Sequence, residues 1–166
     1  FPAKVSKASM AWNYSFWLGT ISAALFFLLI LSGLPLLFLY VPSVERAYQS
    51  VKDIEFVITF GSWIRAVHRI AAHGMVIAVF LHLVRVFLTG AYKNGVGRGQ
   101  HREWNWVLGV VMLLLTLFLS FTGYLLPWDQ LAQFVITASF EWLDWLPSFG
   151  GALMRNFIYP TSVSDR

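Results

Sequence analysis

Two histidines in one apolar run raise the first chemical question. His68 and His82 lie 14 residues apart within RAVHRIAAHGMVIAVFLHLVR, the stretch from Arg65 to Arg85. On an α-helix that separation is roughly 21 Å of rise and close to four turns, so both imidazoles share one face, one near each end. Ionisable side chains are costly in hydrocarbon and as a rule have a function there. Neutral imidazole is an axial ligand to haem iron, and two haems stacked across a bilayer would need this placement. The glycines repeat the period. Gly19 and Gly33 in an earlier apolar run, and Gly109 and Gly123 in a later one, are also 14 apart. Glycine lets a flat group approach the backbone closely. A glycine pair can instead be a packing seam, and a membrane histidine a hydrogen bonder between helices; neither explains why three segments share one period.

The remaining polar residues of the run fall into two groups. Arg65 and Arg69 sit at its outer end, and Arg85 follows His82 by three residues at the inner end. Haem propionates at those depths would supply the counter-charge; snorkelling to lipid headgroups is the other reading. His73 is five residues from His68 and points roughly 140° away, as expected of a packing or hydrogen-bonding residue. His101 lies in a basic loop and reads as plain surface.

These residues require long apolar elements to position them, and the composition supplies such elements. The chain of 166 residues is 58% hydrophobic and 12% charged, where a soluble domain would be about 25% charged. Apolar runs at 15–41, 66–91 and 104–126 each meet the roughly 20-residue requirement for a spanning helix. The expected fold is all-α: a single polytopic membrane domain over 1–166 with three transmembrane helices. The first run is too long for the apolar region of a signal peptide, and the start at Phe1 suggests a processed or incomplete N-terminus. Pro35 should loosen the end of the first span, residues 42–62 should include a short interfacial helix, and Pro127 should stop the third span. Residues 129–158, aromatic, amphipathic and interrupted at Pro147 and Gly150–Gly151, read as short surface helices.

A net charge of +4 does not point to nucleic acid, because the charges are sorted by side. Lys4, Lys7, Lys93, Arg98 and Arg102 fall on one side; Glu45, Asp53, Glu55, Asp129, Glu141 and Asp144 fall on the other. That asymmetry predicts an integral membrane protein with its N-terminus inside. The chain has no cysteine, which removes thiolate metal sites, Fe–S ligation and thioether haem attachment from it.

Three stretches together resemble cytochrome b of the quinol-oxidising bc and bf complexes: GSWIRAVHR, FLHLVRVFLTGAY and FTGYLLPWDQ. The resemblance runs from about Tyr14 to the end and is nearest to the N-terminal half of the short, split form of bacteria and plastids. It implies two haems b, with His68 a ligand of the low-potential outer haem and His82 a ligand of the high-potential inner haem. Gly33 and Gly123 would face the first haem, Gly19 and Gly109 the second. Part of a quinol-oxidation pocket would lie between about Phe121 and Ile136, with Tyr124, Pro127, Trp128 and Val135 in it. Val135 stands where the family usually has a smaller residue, and NGVGRGQH looks like an insertion. The bf branch attaches a further haem through a cysteine near Trp17, a link this chain cannot make.

The resemblance also implies partners. The second axial histidines belong to a fourth helix, expected from a continuation beyond Arg166 or from another chain. A second cytochrome b portion, a Rieske Fe–S protein and a c-type cytochrome would complete a dimeric complex in the bacterial cytoplasmic membrane. The expected function is that of a haem-b electron-transfer subunit of a quinol:cytochrome c (or plastocyanin-like acceptor) oxidoreductase with coupled proton translocation, inactive alone and without acid–base catalysis by its own side chains. The alternatives are a di-haem b anchor linking quinone to another dehydrogenase or reductase, and a non-catalytic assembly subunit built on the same fold.

Overall fold

The computed structural model of the chain describes residues 17–93 and 102–144, which form five helices: α1 Leu18–Leu39, α2 Ala47–Phe56, α3 Gly61–Leu88, α4 Arg102–Leu125 and α5 Gln130–Asp144. No strand occurs among the described residues. Helices α1, α3 and α4 have 22, 28 and 24 residues and are long and apolar enough to cross a membrane. At 1.5 Å per residue they span about 33, 42 and 36 Å, against a hydrocarbon core of about 30 Å. Most of their large side chains face outward, Leu31, Phe38, Leu88 and Leu119 among them. In water that surface would drive aggregation; in lipid it is the solvated face. The chain is an integral membrane protein.

Helix boundaries depart from the apolar runs where backbone geometry takes over. The run at 66–91 becomes a helix shifted toward the N-terminus, Gly61–Leu88. Its start is set by Phe60 in the left-handed region, φ 63°, and its end by the turn through Gly90, φ 61°. Ala91 and Tyr92 fall in that turn rather than in the span. α1 runs unbroken through Pro35. α4 stops at Leu125, two residues before Pro127, because the residue preceding a proline is pushed out of helical geometry. Trp128 then takes φ 50°, and Asp129 opens α5 by accepting the Ala132 N–H at 2.8 Å, an N-cap. The 42–62 connection contains α2. The expected surface helix is seen as α5; residues 145–158, where a second was expected, lie outside the described residues, as does the loop at 94–101.

α3 is the central element, packed against α1, α4 and α2. Its side toward α1 is built for close approach. Ala71 and Ala78 are buried at 3% and 6% exposure between the levels of His68 and His82, and a Cβ on Gly74 would lie 3.5 Å from Leu25 of α1. Small residues at such seams let membrane helices pack through van der Waals contact. At the inner end, Phe87, Tyr92 and Trp106 form an aromatic cluster, with centroids 5.7 Å apart for Phe87–Tyr92 and 5.6 Å for Tyr92–Trp106, that joins the end of α3 to α4. At the outer end, the Tyr40 hydroxyl donates to the Leu126 carbonyl at 2.7 Å, tying the end of α1 to the α4–α5 corner.

The α2–α3 corner admits only glycine at its hinge. Gly61 is buried, and a Cβ there would collide with the Ile54 carbonyl. Because that obstacle is backbone, Gly61→Ala should destabilise the outer end of α3 by about 1–3 kcal/mol, the usual cost of overpacking. The measurement is the thermal unfolding midpoint of the purified protein in detergent, which should fall, with the earliest proteolysis near residues 57–61.

Candidate functional site

The two histidines of α3 each meet a glycine of α1 at the same membrane depth. A Cβ on Gly33 would lie 3.1 Å from Cε1 and 3.6 Å from Nδ1 of His68. A Cβ on Gly19 would lie 3.2 Å from Cε1, 3.6 Å from Nδ1 and 3.7 Å from Nε2 of His82. The 14-residue period common to α1 and α3 therefore produces two like contacts, one above the other. Distances near 3.1 Å are tighter than a real Cβ tolerates without movement of its neighbour. Even an alanine at Gly19 or Gly33 would require the imidazole to give by a few tenths of an ångström, and a larger residue would displace it further.

The glycines of α4 are arranged differently. A Cβ on Gly109 would touch Leu83 at 3.4 Å, and one on Gly123 would meet nothing within 4 Å. The α4 pair thus fronts space at the outer level and a leucine at the inner level, rather than an imidazole.

The polar surroundings of the histidines are unequal. Ser32, buried at 7% exposure, places its Oγ 2.9 Å from Nδ1 of His68. Nδ1 of His82 is buried with no hydrogen-bond partner among the described residues. Trp106 Nε1 is likewise buried and unpartnered, although indole N–H can only donate. Both side chains line one open recess of about 290 Å³ at the inner end, together with Tyr92, Arg102, Asn105 and Gly109. Buried polar atoms almost always have partners. The Trp106 N–H on that recess fits a bound group that brings acceptor oxygens, as a haem does with its propionates.

The arginines divide by level. Arg65 is ion-paired with Glu55 of α2, so part of its counter-charge comes from this chain. Glu55, Ser62, Arg65, Ala66 and Arg69 line a small crevice at the outer end. Arg85 lies on the turn after His82, half-buried. His73 is exposed, with its Nδ1 2.7 Å from the Arg69 carbonyl. Residues expected at a quinol pocket lie along the α4–α5 corner. Phe121 and Tyr124 are exposed at the end of α4, Pro127 and Trp128 form the half-buried turn, and Val135 is half-buried in α5. The residues missed in the sequence are Ser32, Trp106 and Glu55. The signal available for Ser32 was a small polar residue directly before Gly33; for Trp106 it was an indole three residues before Gly109.

Comparison with known proteins identifies the family. The family model described as "Cytochrome b/b6/petB" matches residues 4–166. The cytochrome b6 of Heliomicrobium gestii is 40% identical over 141 residues, which is 85% of this chain and 63% of that protein. The menaquinol:cytochrome c reductase cytochrome b subunit of Geobacillus thermodenitrificans is 38% identical over 124 residues, 75% of this chain and 53% of that protein. A solved structure, a hyperthermophilic respiratory Complex III, superposes with a TM-score of 0.63 at 30% identity, covering 75% of this chain and 31% of that one. The chain spans 53–63% of the length of these two relatives. Matched along nearly its whole length by the family model and 40% identical to one relative over 85% of its residues, the chain belongs to the cytochrome b family of membrane haem proteins.

Proposed function

We propose that the chain binds two haems b, one at each histidine of α3, and serves as the electron-transfer subunit of a quinol:cytochrome c-type oxidoreductase. The observation that carries this reading is the doubled contact, His68 against Gly33 and His82 against Gly19, at one helical period. A packing seam needs small residues but no second imidazole four turns away. A bound haem b supplies a one-electron carrier; the protein supplies placement. His68 and His82 each offer a ring nitrogen to iron. Gly19 and Gly33 keep α1 close enough to hold the rings upright. Arg69 and Arg85 sit where anionic substituents at the outer and inner levels would find counter-charge, and Arg65 with Glu55 forms a polar outer rim. About 21 Å of rise between the ligands sets the two levels of the electron path.

The outer corner, with Phe121, Tyr124, Pro127, Trp128 and Val135, is the proposed wall of the quinol-oxidation pocket. The left-handed Trp128 supports that assignment, since strained backbone in non-glycine residues clusters at functional sites. The N-terminus faces the cytoplasm of a bacterial inner membrane, in keeping with the basic residues on that side. A fourth helix, from a continuation of this chain or from another chain, would supply the partner histidines, and a Rieske protein, a c-type cytochrome and a second cytochrome b portion would complete a dimeric complex, with proton translocation coupled to quinol oxidation.

Two measurements test this. Reduced-minus-oxidised spectra of the purified complex should contain two b-type components, and His82→Leu should remove the inner one and leave the outer. Persistence of both at full occupancy would disprove the ligand assignment. Gly33→Val should displace His68 and weaken outer-haem binding by about 10–100-fold, the range expected when a ligand's support is lost, read as a selective fall of the outer component while the inner stays. Quinol added to the wild-type complex should reduce the b components, and a Rieske protein should co-purify; a di-haem anchor of another enzyme would lack that protein.

A further inference from the structure

The two imidazoles differ in the group behind the ring. Ser32 Oγ donates its hydrogen to the Leu28 carbonyl at 2.7 Å, one turn back on α1. With that hydrogen committed, the same oxygen can only accept at its 2.9 Å contact with His68 Nδ1. The proton of the neutral ring must then sit on Nδ1, which leaves the Nε2 lone pair free. At the inner level, the residue that precedes the glycine is Leu18, 14 residues before Ser32. Leucine has no acceptor, and Nδ1 of His82 has no partner among the described residues. The helical period thus repeats the glycine and the histidine but not the hydroxyl.

We propose that Ser32 is a positioning residue for His68: by accepting from Nδ1 it fixes the tautomer that presents Nε2 to iron, and it lowers the reduction potential of the outer haem relative to the inner. The proposal rests on the reading of His68 as a haem ligand. The physical reason is ligand basicity. An imidazole whose far N–H donates a hydrogen bond gains imidazolate character and becomes a stronger donor to the metal. A stronger anionic-like donor favours ferric over ferrous iron and so depresses the potential. His82, with no such partner among the described residues, is the weaker donor. The fold therefore builds a downhill step from outer to inner haem into one side chain of α1. Burial of the serine strengthens the effect, because a hydrogen bond in low dielectric is less screened.

The test is an anaerobic redox titration of the intact complex, with wild type compared against Ser32→Ala, Ser32→Cys and Ser32→Thr. The outer component is identified as the one that survives His82→Leu. In Ser32→Ala the outer component should move to higher potential while the inner stays; a tenfold loss of ferric preference reads as about 59 mV for a one-electron couple. Ser32→Thr, which restores the hydroxyl, should return the wild-type value. Ser32→Cys keeps the side-chain volume with a weak acceptor, should shift in the same direction, and decides the question should the alanine variant fail to assemble. Wild-type potentials in the alanine and cysteine variants overturn the proposal, as does an equal shift of both components. A wild-type complex without two b-type haems overturns this proposal and the functional reading together, a result distinct from two haems and no shift.

Discussion

The structure depends on the distance of closest approach between α1 and α3. At two depths an imidazole occupies the space that a side chain of α1 would otherwise fill, with 3.1–3.2 Å to the nearest would-be Cβ. Everything else on that seam accommodates this limit. Ala71 and Ala78 are small and buried between the two levels, and Gly74 receives Leu25. Lipid gives helices no hydrophobic reason to associate, so the seam holds through packing and a few hydrogen bonds. A seam of this kind is intolerant of volume, which is why glycine recurs at the histidine period rather than alanine.

A second constraint acts at the ends. α3 is about 42 Å long, longer than the hydrocarbon it crosses, and its outer turns carry Ser62, Arg65 and Arg69. α2 meets that overhang with Glu55 and packs beneath it. At the inner end the aromatic trio of Phe87, Tyr92 and Trp106 does the equivalent work by ring contact. The outer rim is thus held by charge and the inner by ring contact, and the recess beside Trp106 opens on the aromatic side.

Much of this was legible in the sequence. Spans follow from length and hydropathy, and the common depth of His68 with Gly33 and of His82 with Gly19 follows from a shared period; that these glycines meet the imidazoles themselves, where the sequence has them facing haems, came from the structure. What escaped was set by backbone geometry or by partners distant in sequence. The shifted start of α3 depends on a left-handed phenylalanine, Phe60, that no propensity favours. The Arg65–Glu55 pair depends on α2 folding back under α3. Ser32 looked like one more small residue of an apolar helix until its oxygen was seen between Leu28 and His68. The α4 glycines share the period, yet Gly109 meets a leucine and Gly123 meets open space, because α4 approaches α3 from another side.

The hydrogen bond from Tyr40 to the Leu126 carbonyl closes a loop of 86 residues. Its net strength is about 1 kcal/mol, yet it links the last turn of the helix that backs both imidazoles to the turn that introduces α5. Fraying of either helix end at the outer edge therefore breaks a contact with the other. The end of α1, the Pro127–Trp128 turn and the capped start of α5 are thereby joined at the outer edge, where a local opening at one costs the contact of the other.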